Sequence, residues 1–143
     1  MQQKADFEFS CPLRVRYAEV DTQGIVFNAH YLMYFDLAVT EYFRWRGLAY
    51  AEFQEKFKLD FHVIRSLLNY KTPARFDDQL DICARATYRG AKIFWDMSIF
   101  RGEELICNGE LIYATVDNET RRVKKLEPDT ATFLGFTVRE SAS

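Results

Sequence analysis

A carboxylate, Asp21, interrupts the apolar stretch YAEVDTQGIVFNAHYLMYF, which spans residues 17–35. A turn containing Gly24 follows it, and the amide side chain of Asn28 comes after that turn. Aspartate is common in turns because its side chain accepts hydrogen bonds from the backbone that follows it. A positioned carboxylate can also act as a nucleophile or as a general base. Both interpretations of Asp21 are open on these residues alone, so the elements around it must decide.

The segment after Asp21 leads into a predicted helix that runs from about Ala29 to Arg46 and ends at Gly47. Apolar side chains cover most of its circumference. The polar residues form a single stripe of Asp36, Thr40 and Arg44. A helix with so wide an apolar face is expected to be buried in the core. A second, short helix is predicted over residues 49–57.

A two-residue alternation of apolar and polar side chains replaces the helical spacing beyond residue 60. It predicts antiparallel strands over residues 61–72, 80–88, 93–99 and 104–116, with a short strand over 121–126. An earlier short strand is predicted over residues 13–17. This order, a strand, a long buried helix and then a meander of about four or five strands, is typical of an α+β fold. Because a single sheet is available to cover the buried helix, we expect the sheet to curl around it, which is the hot-dog arrangement.

The size and composition of the chain restrict the classes of protein to which it can belong. We expect one domain over residues 1–143, with a substantial core. A formal net charge of −2 gives no electrostatic reason to expect nucleic acid or an anionic membrane as a partner. No apolar run is long enough to predict a membrane span, and no signal-peptide pattern opens the chain. Cys11, Cys83 and Cys107 form no disulfide framework, which favours a reducing, cytoplasmic location.

Residues 15–31, VRYAEVDTQGIVFNAHY, resemble the signature of hot-dog acyl-CoA thioesterases of the 4-hydroxybenzoyl-CoA thioesterase and YbgC-like branch. In that signature an acidic residue, Asp, Gly, two aliphatic residues and an aromatic residue precede a helix that opens near a tyrosine. Residues 34–35 and 41–44 also fit the way that helix continues. The order of elements fits over nearly the whole chain, whereas the specific motif occupies residues 15–44.

The resemblance implies a set of site residues. Asp21 is the catalytic carboxylate, acting as a nucleophile or as a general base for water. The backbone N–H of Asn28 polarises the thioester carbonyl, and Gly24 and Tyr31 contact the substrate. The substrate is an acyl-CoA or acyl-carrier thioester, no metal or organic cofactor is needed, and the protein is a homodimer or a dimer of dimers. This chain departs from many bacterial relatives, which have His or Tyr where it has Asn28.

The chemistry of thioester hydrolysis agrees with these roles. The carbonyl carbon needs a nucleophile or an activated water, and the carbonyl oxygen needs hydrogen-bond donors as it gains negative charge. The N-terminus of a helix supplies unpaired N–H groups and the positive end of the helix dipole. A turn such as the one between Asp21 and Asn28 can place a carboxylate across the carbonyl from those donors.

Several residues have a competing interpretation. Glu41, on the predicted helix, is the rival catalytic carboxylate, although an ordinary pair with Arg44 also explains it. The Asn28 side chain is an N-cap candidate. His30 and His62 lack metal-site spacing, so no metal site is expected. The alternative functions are a non-catalytic hot-dog module that binds a CoA ester or a partner, and a hot-dog dehydratase, whose Asp/His motif does not occur here.

Basic residues lead to a prediction about binding, and a strand with apolar residues on both faces leads to a prediction about assembly. Arg89 and Lys92 flank a hairpin turn, and residues 121–125 form a second basic cluster. These charges either solvate an edge strand or contact the phosphates of CoA from a neighbouring subunit. Apolar residues occur on both faces of the strand over residues 104–116, such as Leu111 opposite Ile112. We therefore expect a homodimer at least, and a homotetramer with active sites at subunit contacts.

Overall fold

The structure is a computed structural model and describes residues 2–140. Its strands are β1 (Phe9–Arg14), β2 (Leu59–Tyr70), β3 (Gln79–Arg89), β4 (Lys92–Arg101), β5 (Glu104–Asp117) and β6 (Thr137–Val138). Its α-helices are α1 (Ala29–Trp45), α2 (Tyr50–Phe57) and α3 (Pro128–Leu134), and short 3₁₀ helices cover Lys4–Asp6 and Tyr17–Glu19. Within the described residues, no helix is both long enough and apolar enough to cross a bilayer.

The strands form one sheet in the order β1-β3-β4-β5-β2, with every neighbouring pair antiparallel. β6 adds in parallel to the end of β3. Strands β3, β4 and β5 form the predicted meander, but β2 pairs with β5 and lies at the opposite edge from β1. The expectation that β2 belongs to a simple meander was therefore wrong, because β3 and β4 lie between β2 and its partner β5 in the chain.

Helix α1 packs its apolar face against the sheet. Its buried residues are Tyr31, Tyr34, Phe35, Ala38, Val39, Tyr42 and Phe43. They form one core cluster with inward side chains of the strands, among them Trp95, Met97 and Ile99 of β4. The predicted buried helix is confirmed on this face. Met33 and Leu37 on the other side are 42% and 37% exposed, because the sheet covers only one side of the helix.

Two predicted strands differ from the structure. The first strand is Phe9–Arg14 rather than residues 13–17, because Tyr17–Glu19 form a 3₁₀ helix in which the Glu19 side chain accepts the Arg16 N–H. The last predicted strand, residues 121–126, retains only an isolated bridge between Val116 and Val123. Helix α3 and the short β6 follow it instead, and Pro128 is at the first turn of α3, where proline is well tolerated.

Candidate active site

Residues 19–27 form a narrow hairpin-like loop, called here the Asp21 loop. The Phe27 N–H donates to the Glu19 carbonyl at 2.9 Å, and the Asp21 N–H donates to the Ile25 carbonyl at 2.9 Å. Gly24, at the tip, has a φ of +78°, in the left-handed region that favours glycine. Its N–H donates to the Asp21 carbonyl at 3.0 Å. The loop thus doubles back, and its return brings the chain to the start of α1.

The Asp21 side chain is half-buried, and one of its oxygens stabilises the turn. Oδ1 accepts the Gln23 N–H at 2.7 Å, which is an Asx-turn contact. Among residues 2–140, no group donates a hydrogen bond to Oδ2 of Asp21. The turn role anticipated for aspartate is therefore real. It also orients the carboxylate while leaving its second oxygen available, so the turn role and a chemical role are compatible.

The start of α1 carries unpaired backbone donors. Asn28 has helical backbone angles (φ −56°, ψ −31°), and its side chain makes no capping hydrogen bond. The expected N-cap role of that side chain was wrong, because a capping residue ordinarily has extended backbone angles. Within the described residues, the N–H groups of Asn28 and Ala29 have no hydrogen-bond acceptor. Both are therefore available to an oxygen atom of a ligand.

A cavity of about 360 Å³ joins the Asp21 loop to the start of α1. Its walls are Asp21, residues 25–28, Tyr31 and residues 70–73. The Tyr31 ring is buried against Tyr70, with ring centroids 5.5 Å apart, and Tyr31 Oη accepts the Ala74 N–H at 3.1 Å. Burial raises the pKa of Tyr31, which favours the neutral phenol. The structure thus brings together three predicted site residues: Asp21, Asn28 and Tyr31.

Gly24 does not line this cavity. It lines a second cavity of about 830 Å³, together with Tyr17, Asp21 and Phe76. The rings of Tyr17 and Phe76 are in edge contact, 5.9 Å apart, although both are largely exposed. Asp21 therefore lines both cavities. Gly24 shapes the loop that carries Asp21, and Gly24 itself lines the second cavity.

Sequence reasoning missed the wall that follows β2. Residues 70–73, including Lys71, line the Asp21 cavity because β2 ends beside the start of α1. The Lys71 N–H donates to the Ile106 carbonyl at 2.9 Å, while its exposed ammonium makes no ion pair with any residue between 2 and 140. No local motif points to this segment, because its position depends on the pairing of β2 with β5.

Glu19, the first residue of the Asp21 loop, was also missed, although it is only 3% exposed. Its carboxylate accepts the Tyr34 hydroxyl at 2.7 Å, the Arg16 N–H at 2.9 Å and the Arg16 Nε–H at 2.9 Å. Burial works against ionisation of Glu19, but the hydrogen bonds from Arg16 and Tyr34 outweigh it and hold the pKa below its ordinary value. Burial beside this carboxylate raises the pKa of Tyr34, which stays a neutral donor.

The predicted basic residues Arg89 and Lys92 lie elsewhere. They pair across the β3–β4 turn, at the opposite end of β3 from Gln79. At about 3.3 Å per residue, the length of β3 puts them about 30 Å from the end that is nearer the Asp21 loop. Arg89 Nη1 donates to the Glu140 carbonyl at 2.9 Å. Within one chain, neither residue lines the Asp21 cavity.

The rival carboxylate and the histidines are also outside the Asp21 cavity. Glu41 lies on the outer side of α1, where it forms an ion pair with Arg44. His62 Nε2 is 2.8 Å from an Arg121 guanidinium nitrogen, at the far end of the sheet. Among residues 2–140, no group of three or more His, Cys, Asp or Glu side chains is arranged to hold a metal ion.

Comparison with known proteins places the chain in a family. A sequence model described as the thioesterase superfamily matches residues 23–114. The chain belongs to this superfamily. An acyl-CoA thioesterase YbgC from Haemophilus influenzae is 31% identical over 113 residues, covering 78% of this chain and 83% of the relative. An acyl-CoA thioester hydrolase YbgC from Escherichia coli is 30% identical over 111 residues, covering 76% and 82%.

Solved structures have the same fold as this thioesterase. A 1,4-dihydroxy-2-naphthoyl-CoA thioesterase from Synechocystis superposes with a TM-score of 0.78 at 15% identity, covering 89% of this chain and 95% of that one. A DHNA-CoA thioesterase from Staphylococcus aureus gives a TM-score of 0.77 at 22% identity, covering 88% and 87%. At these identities the likeness concerns the fold alone. The predicted family and the predicted hot-dog fold are both confirmed.

Proposed function

We propose that this thioesterase hydrolyses acyl-CoA to a free acid and CoA, with Asp21 as the catalytic carboxylate and the N-terminus of α1 as the oxyanion site. One observation carries the assignment of residues: Asp21 and Asn28, whose N–H has no acceptor within residues 2–140, line a single cavity. The names of its curated relatives, acyl-CoA thioesterase and acyl-CoA thioester hydrolase, support acyl-CoA as the substrate class.

The proposed chemistry combines the Asn28 N–H with the Asp21 carboxylate. The thioester carbonyl oxygen accepts the Asn28 N–H, which stabilises the negative charge that develops during attack. Asp21 either attacks the carbonyl carbon itself, or removes a proton from a water molecule that attacks it. The C–S bond then breaks and CoA leaves as the thiolate. In the nucleophilic route, water hydrolyses the resulting acyl-aspartate anhydride. Neither route requires a metal or an organic cofactor.

The proposal includes a homo-oligomer, a dimer at least. Strand β2 is twelve residues long and lies at the edge of the sheet. Its exposed apolar residues are Val63, Ile64, Leu67 and Tyr70, each more than 40% exposed. A long apolar edge strand is an aggregation hazard unless something covers it, and pairing with β2 of a second copy would cover it. Sedimentation at micromolar concentration tests this, and a monomer there contradicts it.

A tetramer and a cytoplasmic location complete the proposal. The exposed Met33 and Leu37 on the outer side of α1 offer a second apolar surface through which two dimers can associate. In such an assembly, Arg89 and Lys92 of one subunit are available to the CoA phosphates held by another. The cytoplasm is supported by Cys11, Cys83 and Cys107, which are buried and unpaired, as expected in a reducing compartment.

Thiol release is the experiment that tests the function. Short, long and aromatic acyl-CoA esters, and an acyl-carrier thioester, are incubated with the protein while a thiol-reactive dye reports the freed thiol. We expect release from at least one ester and its loss in Asp21→Asn. The Asx-turn contact of Asp21 fits a second candidate, a module that binds acyl-CoA without turnover. Binding of acyl-CoA in calorimetry with no thiol released from any ester would establish that alternative.

A further inference from the structure

We propose that Glu19 is the positioning residue of the active site, because its side chain bonds the Asp21 loop to α1 and its carbonyl closes that loop next to Asn28. Glu19 thereby sets the separation between the Asp21 carboxylate and the Asn28 N–H. The inference deepens the proposed function and rests on it for the roles of Asp21 and Asn28. It adds to that function a role for Glu19, whose buried carboxylate does not line the Asp21 cavity.

The side chain of Glu19 forms the first connection. Oε1 accepts the Tyr34 hydroxyl at 2.7 Å and the Arg16 N–H at 2.9 Å. Oε2 accepts the Arg16 Nε–H at 2.9 Å. Tyr34 belongs to α1 and is 1% exposed, so the helix holds it rigidly. Since a buried carboxylate without partners is strongly disfavoured, this arrangement keeps Glu19 at one distance from α1.

The main chain of Glu19 forms the second connection. Its carbonyl accepts the N–H of Phe27, the residue immediately before Asn28, at 2.9 Å. The neighbouring Val26 N–H donates to the Ala74 carbonyl at 2.8 Å, which fixes the returning half of the loop to the segment before β3. One residue is thus bonded to α1 through its side chain and to the approach to Asn28 through its backbone. Asp21 lies only two residues beyond it.

Glu19 remains ionised during the reaction at Asp21, and its charge preserves the hydrogen bonds from Arg16 and Tyr34. The hydrogen bonds from Arg16 and Tyr34 outweigh the effect of burial and hold the pKa of Glu19 below its ordinary value. Glu19 therefore stays charged wherever a carboxylate of ordinary acidity is ionised. The competing explanation is that Glu19 stabilises the fold in general, as any satisfied buried group does, without a specific effect on the reacting groups.

Tyr42 supplies a matched control for that explanation. It also lies on α1, is 5% exposed, and donates its hydroxyl to the Leu134 carbonyl at 2.6 Å, far from the Asp21 loop. Tyr34→Phe and Tyr42→Phe each remove one hydroxyl and one buried hydrogen bond from the same helix. Both variants should lose thermal stability, whereas only the first loosens the Asp21 loop.

We expect Tyr34→Phe to lower kcat on acyl-CoA by roughly 10- to 100-fold, the order of loss that follows small displacements of reacting groups. KM should change by less than about twofold, since substrate binding is not the interaction removed. Tyr42→Phe should keep kcat within about twofold. Glu19→Gln should lower kcat at least as much as Tyr34→Phe, because the amide NH₂ group cannot accept the hydrogen bonds that a carboxylate oxygen accepts from Arg16 or Tyr34. Combining both changes should add little, since they break the same connection.

Amide hydrogen exchange measures the loop without reference to activity. Exchange at the Asp21 and Phe27 N–H groups should accelerate by about tenfold or more in Tyr34→Phe and stay unchanged in Tyr42→Phe. If the parent releases no thiol, the proposed function fails while exchange still decides whether Glu19 positions the loop. A folded Tyr34→Phe with parental exchange and kcat overturns the proposal, as does an equal kcat loss in Tyr42→Phe. If Glu19→Gln does not fold, the comparison of Tyr34→Phe with Tyr42→Phe decides whether the proposal holds.

Discussion

The two ends of the β3–β4 ladder hold their polar residues in different ways. At the end that carries Asp21 and Asn28, the Glu19 carboxylate is buried, and both of its oxygens accept hydrogen bonds. At the opposite end, Arg89 and Lys92 flank an exposed turn, and the Arg89 guanidinium donates to a main-chain carbonyl. Hydrogen bonds therefore fix the side-chain geometry at the first end, while the second end presents positive charge on exposed side chains.

The difference indicates which chemistry each end suits. Thioester hydrolysis needs reacting groups held within a fraction of an ångström, which buried and fully satisfied partners provide. Attraction of phosphate groups needs only a positive potential, which mobile surface cations provide. Changes at the Asp21 end should therefore alter kcat, and changes at the Arg89 end should alter KM or stability.

The largest expected effect is that of Asp21→Asn. The amide keeps the size of the side chain and can still accept the Gln23 N–H, so the protein should fold. It is a poor base and a poor nucleophile, so kcat should fall on the order of 10²–10⁴-fold with KM little changed. Thiol release measures both constants. Glu41→Gln is the matched control and should stay near the parental rate. An inactive Glu41→Gln beside an active Asp21→Asn would transfer the catalytic role to the helix.

If Asp21→Asn is inactive as expected, isotope transfer separates the two roles left open for Asp21. During turnover in ¹⁸O-labelled water, a nucleophilic carboxylate acquires the label when its acyl anhydride is attacked at the aspartyl carbon. Mass spectrometry of the peptide that contains Asp21 detects this label. A peptide without label after many turnovers favours the general base.

Replacing Asn28 with proline and with alanine should separate its backbone from its side chain. The φ of −56° fits a proline ring, so Asn28→Pro removes the N–H while keeping the local angle. Loss of one oxyanion donor costs on the order of 10²–10³-fold in kcat, and we expect a loss at the lower end because the Ala29 N–H remains. Asn28→Ala keeps the N–H and should stay within a few-fold of the parent in thiol-release assays. Equal losses in both would assign the role to the side chain.

At the far end, the largest effect should be on stability. Burial opposes ionisation of Asp60, but hydrogen bonds from Tyr50, Arg121 and the Phe61 N–H outweigh it and lower its pKa to about 2. This stabilisation is present above the unfolded pKa of about 3.9 and is lost as the pH falls towards 2. Asp60→Asn should therefore cost roughly 2 kcal/mol at pH 7 by denaturant unfolding.

The pH dependence is the check on this assignment. The stability difference between Asp60→Asn and the parent should shrink as the pH falls from about 4 to about 2, while kcat at pH 7 stays at the parental value. Glu55→Gln, which removes an exposed ion pair with Lys58, is the control and should leave stability unchanged. A stability difference that does not depend on pH would assign the effect to packing instead.

The parts of this protein that were predictable are those encoded locally. Helix α1 and the hairpins of β3 to β5 follow from side-chain period and glycine turns, and the structure places both close to the predicted bounds. Asp21, Asn28 and Tyr31 were found because one turn and one helix start hold them together. Lys71 and Glu19 were missed because long-range contacts place them: the pairing of β2 with β5 for Lys71, and the bond from Tyr34 for Glu19.

The smallest expected effect concerns Arg89 and Lys92, whose role depends on a second subunit. If they meet CoA phosphates across a subunit contact, Arg89→Gln with Lys92→Gln should raise KM for acyl-CoA several-fold and leave kcat unchanged, the pattern of lost uniform binding. KM for a short thioester without the nucleotide should not change. Lys71→Gln is the comparison within one chain, because Lys71 already lines the Asp21 cavity. If Lys71→Gln alone raises the KM for acyl-CoA, the phosphates lie beside Lys71, and Arg89 and Lys92 only solvate the β3–β4 turn.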